Sequence, residues 1–277
     1  MTPEARKMLD SFFDRFRGHT HPVLLLDYDG TLAGFRVDRF QARPWAGVRQ
    51  LLQQIQSRGR TRMVVISGRP AAEIAPLLRL EPPLEAWGLH GAERLYPDGR
   101  RELQQAPPAT QAKLEQLKQS LRHDSLGGLF EDKANGAVMH WRGHSRKTAE
   151  QIERRTRELF EPLAHMEGLA LLEFESGLEL RAGRDKGGAV DAILAERGTT
   201  GPVAYLGDDL TDETAFRAVN RAAPPHVSGL VRRAWRETAA DLWLRPPADV
   251  REFLELWLRA TDSVDSQSGE IQPKIEM

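Results

Sequence analysis

The chain reads as an α/β protein: a doubly wound, mostly parallel sheet with an inserted α+β unit. Three observations predict this. Short apolar runs alternate with amphipathic helical stretches through residues 1–104 and again through 181–260. Between them, residues 105–180 switch to helix, hairpin, helix and strands, a pattern that suits a small antiparallel sheet covered by helices. The first crossover carries the polar, proline-bearing stretch Gln104-Gln105-Ala106-Pro107-Pro108-Ala109-Thr110-Gln111. An insertion of this kind can move as a lid over the domain that the chain leaves and re-enters.

The elements follow in order. Thr2 and Pro3 open a helix whose stripe is Met8, Leu9, Phe12, Phe13 and Phe16, read as core packing. Val23 to Leu26 is a continuous apolar run, as a strand buried on both faces requires. Trp45, Val48, Leu52 and Ile55 recur at helical spacing, and Thr61 to Ile66 is the next strand. Pro70 opens a helix that Pro76 shortens or bends. Leu84 to Trp87 is a strand, and Pro97-Asp98-Gly99-Arg100 turns between two short ones. In the insertion, helices are expected over 111–122 and 145–160, strands over 169–174 and 178–181, and a hairpin about Asn135-Gly136. Helices over 186–196, 211–219 and 250–258 and strands over 203–206, 226–231 and 242–244 complete the main domain. Residues 261–277, rich in Ser, Asp and Gln, read as a flexible tail.

Composition narrows the function. The 277 residues are 40% hydrophobic and 29% charged, which excludes general disorder. Thirty-nine basic residues against 40 acidic ones leave no dominant footprint for nucleic acid. The absence of cysteine excludes disulfides, thiolate nucleophiles and Cys-ligated metals. Arg6, Lys7, Asp10, Asp14 and Arg15 interrupt the first apolar residues, so no secretory segment is read there. No run approaches the roughly 20 apolar residues of a spanning helix. The expectation is a cytoplasmic protein, monomer favoured, with a small-molecule substrate and neither nucleic acid nor membrane as partner. Neither a Gly-x-x-x-x-Gly-Lys-Ser/Thr loop nor a His-Glu-x-x-His motif occurs.

The chemistry concentrates where strands end. Asp27 and Asp29 directly follow the run Val23 to Leu26, with Gly30 allowing a tight turn. Two aspartates one residue apart point to one side of an extended chain and repel unless a cation or a shared proton intervenes. Mg²⁺ is the natural candidate for such an oxygen-donor site. The run Val203 to Leu206 ends likewise in Gly207-Asp208-Asp209-Leu210-Thr211-Asp212. Parallel strands deliver their carboxyl ends to one edge, so the two clusters can meet. Asp209 or Asp212 can alternatively cap the helix that follows. Ser67-Gly68-Arg69 follows another strand, where its hydroxyl and amides suit phosphoryl oxygens, with simple capping as the competing reading. Lys186-Gly187-Gly188 opens a helix at the return to the main domain. Only seven of the 39 basic residues are lysines, and an ammonium there can neutralise an oxyanion.

Asp27-Tyr28-Asp29-Gly30-Thr31-Leu32, Ser67-Gly68-Arg69, Lys186-Gly187 and Gly207 through Asp212 together resemble the haloacid-dehalogenase-like phosphatase superfamily. With Gly88-Leu89-His90-Gly91-Ala92-Glu93, Glu131-Asp132-Lys133 and His140-Trp141-Arg142, the chain more narrowly resembles the trehalose-6-phosphate phosphatase family. The resemblance implies a haloacid-dehalogenase-like core with an inserted cap. It implies Asp27 as nucleophile, Asp29 as acid and base, and Ser67 and Lys186 as phosphoryl ligands. It also implies Mg²⁺ held by Asp27, the Asp29 carbonyl and Asp208, with Asp212 a direct or water-mediated contributor and Asp209 an orienting residue.

For the sugar, an Asn135-Gly136 turn would pair Ala134 with Ala137 and Glu131 with His140. Glu131, Lys133, His140 and Arg142 then share one face, with Phe130, Met139 and Trp141 on the other. The resemblance strengthens Glu131 and Lys133 and implies a sugar contact for Glu179, which alternates with Arg181. Arg69 and His90 join the substrate-binding residues, although His90 also suits a structural or hinge role. Trp141 stands where the family often has tyrosine, and Ala182 where it often has proline. The first-choice reaction is hydrolysis of trehalose 6-phosphate. Phosphatases of sucrose phosphate or a glycosylglycerate phosphate, a phosphoglucomutase and a catalytically silent regulatory domain stand as alternatives. Trp87, Trp235, Trp243 and Trp257 are read as packing, and Arg232, Arg233 and Arg236 as a solvated helix face.

Overall fold

A computed structural model describes residues 3–16, 19, 21–104, 106–124, 126–133, 136–166, 168–196, 201–223 and 225–262. In chain order the elements are α1 (Pro3–Phe16), β1 (Val23–Leu26), α2 (Val48–Ser57), β2 (Arg62–Ile66), α3 (Ile74–Leu78), β3 (Glu85–Gly88), β4 (Glu93–Leu95) and β5 (Arg101–Leu103). Then come α4 (Pro108–Arg122), β6 (Phe130–Lys133), β7 (Gly136–His140), α5 (Arg146–Ala164), β8 (Leu169–Phe174) and β9 (Gly177–Ala182). The chain closes with α6 (Lys186–Ala195), β10 (Val203–Gly207), α7 (Glu213–Asn220), β11 (His226–Val231), β12 (Leu242–Leu244) and α8 (Ala248–Asp262).

Eight strands form one sheet in the order β12-β11-β10-β1-β2-β3-β4-β5. The pairs from β12 to β3 are parallel, and β4 and β5 add an antiparallel edge. The unbroken apolar run of β1 is explained by its two covered faces. Leu24 and Leu26 pack in one core with α1, α2, α3 and α8, while Val23 and Leu25 pack in the other with α6 and α7. The α1 stripe lies in the first core, where Phe16 meets Trp257 edge-on at 4.9 Å. The expected α/β class with a doubly wound, mostly parallel sheet is what the chain adopts.

The second sheet has the order β6-β7-β9-β8 and is antiparallel throughout. Ala137, Met139, Leu178, Leu180 and Ala182 turn to the helix side, where Leu114, Leu117 and Leu121 of α4 and Phe160 of α5 cover them. Period two leaves Glu131, Lys133, His140, Glu179 and Arg181 on the opposite face.

The structure corrects several local expectations. Lys133 pairs with Gly136 and Glu131 with Val138, so the hairpin register is two residues from that of an Asn135-Gly136 turn. Ala134 and Asn135, like Thr2 and residues 263–277 of the expected tail, lie outside the described residues. The face assignment survives because a slip of two preserves parity. The segment 71–73 is a 3₁₀ turn ahead of α3, which holds Pro76, and another spans Leu210–Asp212 ahead of α7. The final helix extends to Asp262. Arg232, Arg233 and Arg236 lie beyond β11 rather than on a helix. The Arg232 amide continues the ladder to the Leu244 carbonyl at 2.9 Å. Trp235, on the same stretch, is 61% exposed and packs no core, unlike buried Trp87 and Trp257. Among the described residues no helix is long and apolar enough to cross a membrane.

Candidate active site

Strand register brings the acidic segments together. Leu26 pairs with Leu206 of β10 and with Val65 of β2, so Asp27, Asp208 and Ser67 emerge at the same edge. One carboxylate oxygen from each of Asp27, Asp208 and Asp212 lies within a 4.8 Å cluster, and all three residues are buried. Lys186, at the start of α6 and also buried, donates to Asp27 Oδ1 at 2.8 Å and to Asp212 Oδ1 at 2.7 Å. Thr31 Oγ1 donates to Asp27 Oδ2 at 3.1 Å. The Asp212 carboxylate also receives the Tyr205 hydroxyl and the amides of Asp208 and Asp209, the latter two at 3.0 and 2.9 Å. Asp212 is therefore engaged at both oxygens and fixes the acidic loop.

Two glycines make this close approach possible. Gly30 has φ +83°, and a Cβ there would stand 2.0 Å from Asp208 Oδ2. A Cβ at Gly207 would stand 2.4 Å from Asp212 Cγ.

Electrostatics shows what the cluster lacks. Burial pushes Asp27 up to about 7, with Lys186 pulling down and Asp212 pushing up. Burial, then Asp27 and Asp212, push Asp208 up to about 10. Burial alone would depress Lys186, but Asp212 and Asp27 outweigh it and hold the ammonium charged. Three buried carboxylates thus face one lysine. The donor set is all oxygen and short of positive charge, which fits a hard divalent cation.

Asp29 is held by a different group. Arg69 donates from Nε and Nη2 to the two Asp29 oxygens at 2.5 and 2.7 Å, with its guanidinium 5.5 Å from the Tyr28 ring centre. The Arg69 amide donates to Ser67 Oγ at 3.2 Å. His90 lies over Gly68, where a Cβ would come within 2.7 Å of its ring. Burial, followed by Lys186, Arg181 and Lys133, keeps His90 well below its usual pKa, so the ring is neutral. Its Nδ1 is buried without a hydrogen-bond partner.

On the polar face of the small sheet, Lys133 pairs with Glu179 at 3.2 Å and His140 with Glu131 at 2.8 Å. Among the described residues, no hydrogen bond joins these four to the carboxylate cluster. Arg142 lines a cleft of about 660 Å³ with Gly30, Phe35, Trp45, Phe174, Asp208 and Arg232. A hollow of about 740 Å³ bounded by Gln104, Gly183 and Arg184 is lined by none of the clustered carboxylates.

The sequence profile of the family described as trehalose-phosphatase matches residues 25–242, from β1 through the start of β12. The chain belongs to the trehalose-phosphatase family. A trehalose-phosphate phosphatase of Mycolicibacterium paratuberculosis is 31% identical over 96% of this chain and 68% of its own length. The chain spans between 57% and 68% of the length of the mycobacterial relatives it matches. Among solved structures, the trehalose-6-phosphate phosphatase of Aspergillus fumigatus aligns with TM-score 0.72 at 24% identity, covering 92% of this chain and 97% of that one. A haloacid dehalogenase-like hydrolase from B. subtilis aligns with TM-score 0.59 at 17% identity, covering 84% and 98%. These two likenesses are of fold alone. The chain is thus a member of a phosphomonoester hydrolase family.

Within this trehalose-phosphatase architecture, Asp27, Asp208, Asp212 and Lys186 meet directly, and Ser67 joins them at the strand edge. Arg69, expected at the substrate, donates from its side chain to both oxygens of Asp29. The alternative capping reading also holds: Asp209 is the N-cap of the turn Leu210–Asp212, and Asp212 completes a capping box by binding the Asp209 amide along with that of Asp208, while the Asp209 carbonyl accepts from Arg236 at 2.9 Å. Sequence reasoning gave no role to Thr31, Tyr205 or Arg181. Thr31 was visible beside Asp27, and Arg181 in its alternation with Glu179. Tyr205 sits in a run of core residues, and nothing local distinguishes it.

Proposed function

We propose that this chain hydrolyses trehalose 6-phosphate to trehalose and inorganic phosphate, with Mg²⁺, through an aspartyl-phosphate intermediate. The observation that carries this reading is the buried cluster of Asp27, Asp208 and Asp212 opposed by a single lysine. Residues 1–104 and 181–260 form the core in this reading, and 105–180 the cap. The enzyme works as a cytoplasmic monomer.

Asp27, the Asp29 carbonyl and Asp208 would hold Mg²⁺, with Asp212 acting through water. When bound, the ion supplies positive charge beside the phosphoryl oxygens. Lys186 and Ser67 bind the same oxygens and orient phosphorus toward Asp27. An Asp27 carboxylate oxygen attacks phosphorus, the bond from phosphorus to the sugar oxygen breaks, and Asp29 gives that oxygen its proton. Water then attacks the phosphorylated Asp27 while Asp29 takes up the proton, releasing phosphate and restoring Asp27 as a carboxylate and Asp29 as the acid. Glu131, Lys133, His140, Arg142 and Glu179 read the sugar hydroxyls from the cap side, and neutral His90 contacts the sugar near Gly68.

The test is phosphate release by the purified protein across trehalose 6-phosphate, sucrose phosphate, a glycosylglycerate phosphate and glucose phosphates, with and without Mg²⁺. Preferred turnover of trehalose 6-phosphate supports the reading. Preference for another ester, or conversion to an isomeric sugar phosphate, replaces it.

A further inference from the structure

Arg181 stands out because its burial has no local explanation. It is 5% exposed, and among the described residues its hydrogen-bond acceptor is the Leu89 carbonyl, with no carboxylate ion-paired to it. Taking a guanidinium out of water without a carboxylate is unfavourable. Burial correspondingly holds its pKa below the usual arginine value.

The carbonyl it grips belongs to an unusual turn. Leu89 and His90 both lie in the left-handed region, with φ 49° and 56°. Such a conformation is an outlier for a bulky side chain and persists only when surrounding contacts impose it. The turn is bound on its other side to the phosphate segment. The Leu89 amide donates to the Arg69 carbonyl and the His90 amide to the Ser67 carbonyl, each at 2.8 Å. Arg69 in turn holds both oxygens of Asp29. Hydrogen bonds therefore run without a gap from β9 of the small sheet through Leu89 and Arg69 to Asp29.

We propose that Arg181 is a positioning residue that couples the seating of the small sheet to the placement of Asp29. By holding the Leu89 carbonyl it imposes the 89–90 turn, and the turn fixes Ser67, Gly68 and Arg69. The inference rests on the phosphatase reading and adds the element that switches the site on. A sugar phosphate that draws the small sheet down gains the link. A small aryl phosphate depends on it less, because nitrophenolate leaves without a proton from Asp29 and only the attack of water on phosphorylated Asp27 still uses that carboxylate.

The experiment uses the full chain with Arg181→Met, and Arg181→Gln should the first variant not fold. Turnover is measured on p-nitrophenyl phosphate and on whichever disaccharide phosphate the wild type hydrolyses fastest. The expected result is a fall in disaccharide-phosphate kcat at least about tenfold greater than the fall in p-nitrophenyl phosphate kcat, with KM for the disaccharide phosphate within about threefold. Hydrogen exchange at amides 67–69, 71 and 89–91 should quicken. Equal losses on both esters, or unchanged exchange at 67–69 and 71, overturn the proposal. A wild type inactive on every ester removes the phosphatase reading, and exchange, which needs no substrate, still decides the role of Arg181.

Discussion

The Lys186 ammonium lies 2.8 Å from Asp27 Oδ1, and both side chains are at most 4% exposed. A buried pair of this kind is a weak source of stability, because desolvation offsets most of the attraction. Its geometry is better explained by the charge it controls. The same ammonium lies 2.7 Å from Asp212, so one positive charge answers two carboxylates, and among the described residues the Asp208 carboxylate has no basic side chain hydrogen-bonded to it.

Asp27→Asn keeps the shape of the side chain and removes its nucleophilic charge. Phosphate release should fall by on the order of a thousandfold or more, with the circular dichroism spectrum unchanged. Substantial residual turnover would take Asp27 out of the attacking role.

Gly30→Ala places a methyl group against Asp208 in a backbone conformation that L-residues rarely adopt. Stability should drop by about 1–3 kcal/mol and activity by at least about tenfold. Thermal denaturation and phosphate assays read the two effects. A fully active, equally stable variant would show that the contact between Gly30 and Asp208 is dispensable.

The effect of Mg²⁺ on stability should grow with pH. In the folded chain Asp27 and Asp208 titrate near about 7 and about 10, whereas an unfolded aspartate titrates near ~3.9. The folded state therefore holds more protons above ~4, and the metal-free protein loses stability as pH rises through both folded values. A bound cation takes the place of those protons. The gain in Tm on adding Mg²⁺ should be greater at pH 8 than at pH 5 by at least about 2 °C, roughly 1 kcal/mol for a chain of this size. An equal gain at both pH values would contradict the charge deficit inferred for the site.

Glu131→Ala removes the partner of His140 on the polar face of the small sheet. Turnover of the preferred disaccharide phosphate should fall at least about tenfold more than that of p-nitrophenyl phosphate. Proportionate losses on both would argue against sugar reading by this residue.

Much of the architecture was legible because its signals are local. The run Val23–Leu26 specifies a doubly covered strand by its own residues, and the carboxylates that follow it are placed by the strand's end. The acidic segment after Leu206 was readable for the same reason. The hairpin shows where local signals stop. Its alternation correctly placed Glu131, Lys133 and His140 on one face, but the pairing was two residues off. Side-chain parity is written along a strand, whereas register depends on the partner strands and the turn together.

From sequence alone followed the α/β class, the strand-end position of Asp27 and Asp208, and the family resemblance. Each depends on residues close together in the chain. Tertiary structure decided that Lys186 serves two aspartates, that Asp212 is tied to the loop amides, that Arg69 clamps Asp29 and that Arg181 reaches Leu89. All of those pairings except the local tie of Asp212 join segments far apart in the chain, and a charge has no preferred partner until packing removes water and leaves it one within reach.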